Sequence, residues 1–383
     1  MKRSGYSTAI VGKWHLGFRT DEKMDWNKEL APGPLELGFD YYFGVPILNS
    51  HPPFVYVENH HVVGYDPNDP FVRGKRAETE EFDEKFGINS IGGATAAHRL
   101  YKDRAVATTL KDRAVQWIKE HKDSPFFLYY ATTNIHHPFT PAERFVGTSE
   151  AGPYGDSIHE LDWVVGEIMR TLDEEGLAGN TLLIFTSDNG GMLNHGGQRA
   201  WKAGHHINGK LLGFKFGAWE GGHRIPMIVR WPGIVAPQTQ CDHYLMIEDF
   251  FPTILEMAGV DNYTTVQQRD GISFMPLLTG KGKMKDRDIY WHYPNSWGPS
   301  GPGIGATCSI RSGEWKLVYY FGDGRRELFN IPADISEKHD MAREKPEVVK
   351  ELSRKLSNYL RSVDAQRPLL RATRQPAPWP DEI

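Results

Sequence analysis

The sequence predicts an α/β protein, a large and mostly parallel sheet sandwiched by helices, followed by a small antiparallel α+β unit. Three observations carry this. Amphipathic helices alternate with short apolar strands between residues 103 and 258, the pattern of strand–helix–strand crossovers. The runs Thr8–Val11, Phe126–Tyr130, Thr181–Phe185 and Met227–Trp231 are apolar almost throughout, as strands covered on both faces are. Near residue 285 the pattern changes to closely spaced short strands with turns at Ser312-Gly313 and Gly322-Asp323-Gly324. The expected division is therefore 1–285 for the main domain and 286–383 for the small one.

In chain order, Met1–Tyr6 reads as a helix tail closed by Gly5, feeding the strand Thr8–Val11. Phe54–Val57 and His61–Val63 flank a turn at Asn59, a small hairpin. Residues 64–93 read as a long irregular insertion, a segment length that points to a cleft wall. From 103 to 121, Val106, Leu110, Ala114, Trp117 and Ile118 recur at helical spacing. A second such helix covers 157–175 and is closed by Gly176; a third covers 249–258 and is closed by Gly259. In the small unit, strands are expected at 288–293, 309–311, 315–321 and 327–330, then a helix from Pro346 striped with Val349, Leu352, Leu356, Tyr359 and Leu360.

Composition excludes some classes. With 44 basic and 49 acidic residues the net charge is −5, so nothing favours broad binding to nucleic acid. No apolar run reaches the ~18 residues of a membrane span, and the basic N-terminus is not followed by a signal-type apolar stretch. The 11 Trp and 16 Tyr suit either a carbohydrate-lined cleft or a large core. Cys241 and Cys308 are too few for a disulfide framework and read as buried free thiols.

Chemistry concentrates at strand ends. In an open α/β sheet, groups just beyond the carboxyl ends of strands line the ligand crevice. Lys13 and His15 follow the first strand, His136 follows Phe126–Tyr130, and Asp188-Asn189 follows Thr181–Phe185. The expectation is that all three ends meet at one edge of one sheet. Asp188 and Asn189 offer hard oxygen donors of the kind Ca²⁺ or Mg²⁺ takes, although two ligands alone are too few. Lys215 sits in the glycine-flanked loop 213–226, where Glu220 and Arg224 are placed to pair. A hard cation, two lysines and two histidines describe a pocket for a tetrahedral anion, suited to sulfuryl or phosphoryl transfer. Trp201, His205 and His206 precede the Lys215 loop and suit either sugar contact or plain surface.

These residues, in this order, resemble the sulfatase family of the alkaline-phosphatase superfamily. Gly5–Gly17 looks like its second signature, and His136/Pro138, Thr186–Gly191 and Lys215–Pro226 look like its later blocks. The resemblance implies an alkaline-phosphatase-like fold, sulfate-ester hydrolysis, a sulfated small molecule or carbohydrate as substrate, and export from the cytoplasm. It implies that Lys13 and Lys215 bind sulfate and that His15 serves the nucleophile's hydroxyl. It further implies that His136 serves the leaving oxygen and that Asp188 and Asn189 ligate Ca²⁺. Family members draw a formylglycine nucleophile from a Cys-x-Pro-Ser-Arg motif and two more metal-binding aspartates from a preceding strand. Neither Cys241 nor Cys308 begins that motif; Cys308-Ser309-Ile310-Arg311 lacks its proline. The expectation is an N-terminally incomplete sulfatase chain, inactive alone and with exposed apolar sheet. The alternatives are a non-catalytic relative that binds a sulfated ligand and a phosphodiesterase of the same superfamily. Asn189 and the absence of a His-rich two-metal pattern count against the last.

Overall fold

The computed structural model describes residues 1–18, 24–48, 50–77, 90–193, 196–260, 262–295 and 301–383. Residues 78–89 of the 64–93 segment lie outside the described residues. The chain forms two compact units. The first holds residues 1–183, 198–203 and 230–282; the second holds 184–197, 204–229 and 283–383.

The first unit is built on β1 (Ser7–Lys13), preceded by a short 3₁₀ turn, Lys2–Ser4, rather than an α-helix; Gly5 caps it at φ 82°. β1 is the centre of a mixed sheet. It runs parallel to β2 (Tyr41–Val45) on one side, and the hairpin β3 (Val57–Glu58) and β4 (His61–Val62) extends that side antiparallel. The hairpin turns at Asn59, φ 54°. Within the insertion, β5 (Phe71–Arg73) pairs antiparallel with β6 (Ile91–Gly93). After α1 (Thr95–Leu100), α2 (Val106–Glu120) carries the expected stripe, and all five of its residues are buried. On the other side of β1 lies β7 (Phe126–Ala131), also parallel. α3 (Pro153–Glu174) opens on a proline, whose missing N–H costs nothing in a first turn. It ends where Leu177 N–H reaches Leu172 O at 2.8 Å around Gly176.

Successive side chains of β1 feed two different cores, as a pleated strand requires. Val11 packs with Leu110, Ala114, Ile118 and Leu172 of α2 and α3. Ile10 packs with Phe18, Leu30, Tyr42 and Ala97, so that face is covered by loops and α1.

The expectation of a fully buried strand at 126–130 is corrected. β7 is half-buried along its length and Tyr129 is 53% exposed, because β7 has only β1 as a sheet neighbour among the described residues. The single-sheet expectation is corrected as well. β8 (Leu183–Thr186) pairs with β9 (Met227–Arg230) in a separate two-stranded sheet. Between them in sequence lie α4 (Gly197–Lys202) and α5 (Glu220–His223). Later in the chain, α6 (Phe250–Met257) is closed by Gly259, and α7 (Met275–Thr279) follows.

The second unit ends in a four-stranded antiparallel meander, β10 (Ile289–Tyr293), β11 (Thr307–Ser312), β12 (Trp315–Tyr320) and β13 (Arg326–Asn330). α8 (Pro346–Ser362) covers one face, packing Leu352, Leu356 and Leu360 on Cys308, Ile310, Leu317 and Tyr319. Val318 and Tyr320 point to the opposite face and pack with Ala218 and Trp219. Both cysteines are free thiols, but Cys241 is exposed; its neighbourhood is polar loop rather than apolar strand, and only Cys308 is buried. Among the described residues no helix is long and apolar enough to cross a membrane.

Candidate active site

In the first unit, β1 and β7 run parallel with Gly12 opposite Ala131, so the segments beyond them leave the sheet at the same carboxyl edge. Gly12 is required there. Its φ is 123°, and a Cβ would stand 1.9 Å from Ala131 O. Beyond Lys13 the backbone remains tied to the last residue of β2 and the one after it: Trp14 N–H reaches Val45 O at 3.1 Å and His15 N–H reaches Pro46 O at 2.9 Å. Trp14 is the anchor between the two ionisable side chains. Its indole N–H donates to Gly17 O at 2.6 Å and its ring lies against Phe18 and Tyr42. Lys13 is consequently half-buried and His15 exposed, the latter at φ 58°. Past β7, His136 stacks on His137 at 4.4 Å, and its Nδ1 lies 2.6 Å from His137 O. An N–H on Nδ1 donating to that carbonyl leaves Nε2 as the ring's other working atom. Lys13, His15 and His136 thus share one edge of one sheet, as expected.

In the second unit, Asp188 and Asn189 follow β8. Asp188 is exposed, and Asn189 Nδ2 donates to Gly190 O at 3.0 Å. The two glycines then permit a close crossing of chains. A Cβ on Gly190 would stand 1.8 Å from Gly221 O, and Gly190 N–H reaches Gly222 O at 3.0 Å. Lys215 is joined to the same place: its backbone N–H donates to Gly191 O at 2.9 Å. Asn208 braces both segments, accepting from Gly191 N–H at 2.8 Å and donating to Gly213 O at 2.9 Å. The Asp188–Asn189 loop and the Lys215 loop are therefore one hydrogen-bonded assembly.

Glu220 and Arg224 approach at 3.4 Å, but the principal partner of Glu220 is another residue. Lys316, wholly buried on β12, places Nζ 2.9 Å from Glu220 Oε1 and 2.9 Å from Glu337 Oε1. Burial works against both carboxylates. Hydrogen bonding to His223 and the Lys316 charge outweigh it at Glu220, whose pKa falls well below the usual range, whereas burial prevails at Glu337 and raises its pKa. His223, 3.3 Å from Lys316 Nζ, is lowered to about 4 by burial and by the lysine's charge. Sequence reasoning missed Asn208, Lys316 and Glu337. A lysine in the apolar run 315–321 was the one available signal of a buried cation.

The donor chemistry of Asp188 and Asn189 suits a hard cation, but the pair is incomplete. No group of three or more His, Cys, Asp or Glu able to hold a metal occurs among the described residues. A Ca²⁺ shell of about six to eight oxygens is not supplied by these two side chains. Trp201, His205 and His206 are all exposed.

The comparisons with known proteins extend this picture. A family model described as sulfatase matches residues 1–260, and one described as the C-terminal part of N-sulphoglucosamine sulphohydrolase matches 215–366. The chain is 35% identical to an N-acetylgalactosamine-6-O-sulfatase of Bacteroides thetaiotaomicron, over 94% of this chain and 75% of that one. It is 32% identical to the mouse N-acetylgalactosamine-6-sulfatase, over 93% and 68% respectively. A solved structure from work on glycosaminoglycan metabolism by Bacteroides thetaiotaomicron superposes with a TM-score of 0.80 at 33% identity, covering 94% of this chain and 80% of the other. The superposition shows an α/β protein of alkaline-phosphatase-like architecture. The chain belongs to the sulfatase family, the sulfuric ester hydrolases.

Proposed function

We propose that this chain recognises sulfate esters of carbohydrates as sulfatases do, and that the 383-residue chain binds such esters without cleaving them. The observation that supports it most is the bond from Lys215 N–H to Gly191 O, which ties an ammonium-bearing loop to an Asp-Asn loop with hard-cation donors. The names of the two N-acetylgalactosamine-6-sulfatases make a 6-O-sulfated hexosamine the first substrate to try. The family reading also carries an exported location.

In this reading Lys13 and Lys215 hold the sulfate group and offset the negative charge on its oxygens. His136 gives a proton to the leaving sugar oxygen, so that an alcohol departs rather than an alkoxide. His15 holds and accepts the proton of the attacking hydroxyl. Asp188 and Asn189 would supply two of the oxygen donors to a Ca²⁺ ion, and such an ion would supply Lewis-acid stabilisation of the sulfate charge. The attacking hydroxyl is not among this chain's residues, since neither Cys241 nor Cys308 stands in a Cys-x-Pro-Ser-Arg motif. No bond-breaking step is therefore assigned to the chain by itself.

The test is calorimetric titration with 6-O-sulfated N-acetylgalactosamine and with its unsulfated parent. Saturable binding of the sulfated sugar only, lost in Lys215→Ala, supports the proposal. Equal response to both sugars, or binding indifferent to Lys215, contradicts it.

A further inference from the structure

We infer that Lys316 is a positioning residue for Lys215: the buried cation on β12 sets where the sulfate-directed loop sits. The inference rests on the proposed role of Lys215, but its geometry stands apart from that role. Gly221 N–H reaches Leu212 O at 2.7 Å, which closes residues 212–221 into a loop with Lys215 inside it. The closing end is held from the meander. Besides the contact of Lys316 with Glu220, the Glu220 backbone N–H donates to Glu337 Oε2 at 2.6 Å, so side chain and main chain of one residue are both gripped. Two further ties reach the same stretch, Trp219 Nε1–H to Glu327 Oε2 at 2.9 Å and Ala218 N–H to Gly303 O at 2.8 Å.

Those two ties differ in kind from the lysine. Glu220 is 4% exposed, and a buried carboxylate without its cation is driven toward water. Glu220 opens α5, so its movement carries the loop end with it. The loop also stores strain, since Phe216, next to Lys215, is held at φ 76°. A non-glycine residue stays in that region only while its surroundings hold it there. Gly222 O in turn receives Gly190 N–H, so a shift of α5 reaches the Asp188–Gly191 loop. Glu337 has a different part. Its Oε2 accepts from Glu220 N–H, a bond that an amide oxygen in the same place can also receive.

The test measures the acetylation rate of Lys215 at one fixed pH by mass spectrometry on the 383-residue chain. Wild type is compared with Lys316→Met, Glu337→Gln and the core control Leu356→Ala. In Lys316→Met the Lys215 rate rises roughly tenfold, as for a loop whose local opening has become easier. Glu337→Gln, which keeps an acceptor for Glu220 N–H, retains the wild-type rate. Leu356→Ala lowers overall stability and leaves Lys215 unchanged. If Lys316→Met does not fold, Glu220→Gln removes the same charge pair with little change of shape, and the same rise is expected. An unchanged Lys215 in the folded variant, or an equal change in Leu356→Ala, overturns the inference. The readout contains no sulfate, so a failure of Lys215→Ala to affect sulfated-sugar binding would remove the functional reading and leave this result standing.

Discussion

Replacing His223 with glutamine should flatten a defined part of the acid-stability profile. In the folded chain burial and the Lys316 charge lower the imidazole from 6.5 to about 4, against the pull of Glu220. Its ring also lies tilted against Trp291, with centroids 4.3 Å apart, which holds it in that place. Between those two pH values the unfolded chain takes up a proton that the folded chain refuses. Stability therefore falls as pH falls through the window and gains no further penalty from this group below it. A shift of about 2.5 units at ~1.36 kcal/mol per unit gives about 3 kcal/mol lost between pH 6.5 and 4. Glu337, with a raised pKa, acts with the opposite sign over the lower part of the window, and that contribution is common to both proteins. Glutamine keeps an acceptor for Lys316 and does not titrate. The assay is urea unfolding followed by circular dichroism from about pH 7.5 to about pH 4 on wild type and His223→Gln. The difference between the two curves should change by about 3 kcal/mol across the range, the wild type losing more. Curves parallel to within about 0.5 kcal/mol, the scale on which independent effects add, would refute the placement of His223 against a buried lysine.

Other expectations follow from single contacts. Gly12→Ala puts a Cβ 1.9 Å from Ala131 O at φ 123°, so the β1–β7 pairing should fail; a loss above about 4 kcal/mol, read as a collapsed urea midpoint, is expected. Leu356→Ala empties a fully buried position under the meander and should cost about 2–5 kcal/mol with no effect on Lys215 labelling. Asp188→Ala should abolish whatever weak Ca²⁺ response the chain gives by calorimetry, and an undiminished response would remove Asp188 from the donor set. Tyr129 and Ile228, 53% and 64% exposed on strands, should make the chain bind a hydrophobic dye, and Tyr129→Ser with Ile228→Ser should lower that signal.

What was legible in the sequence was local. The α2 stripe could be read because a 3.6-residue period puts Val106, Leu110, Ala114, Trp117 and Ile118 on one face whatever they meet. The strand-end placement of Lys13, His15 and His136 followed from parallel pairing, a rule of the fold class. The burial of β7 was not legible, because an apolar run specifies two covered faces only if strands flank it on both sides. For the same reason β8 looked like a member of the β1 sheet, although its ladder partner is β9. The role of Glu220 was half visible. Arg224 is its neighbour in sequence, whereas Lys316 and Glu337 are distant, and nothing local marks a buried long-range ion pair. Asn208 was invisible on the same ground. It looks like any loop asparagine until the turn of 190–191 is known. Cys241 was misjudged because cysteine is so often buried that the polar sequence around it was outweighed.

The most direct test of the account incubates the purified 383-residue chain with a fluorogenic aryl sulfate and Ca²⁺ while measuring binding of the 6-O-sulfated sugar in parallel. Sulfate-dependent binding that needs Lys215, with no catalytic release of the fluorophore, is expected. Ca²⁺-dependent turnover by this chain alone would contradict it, since one of the chain's own side chains would then have to supply the attacking oxygen.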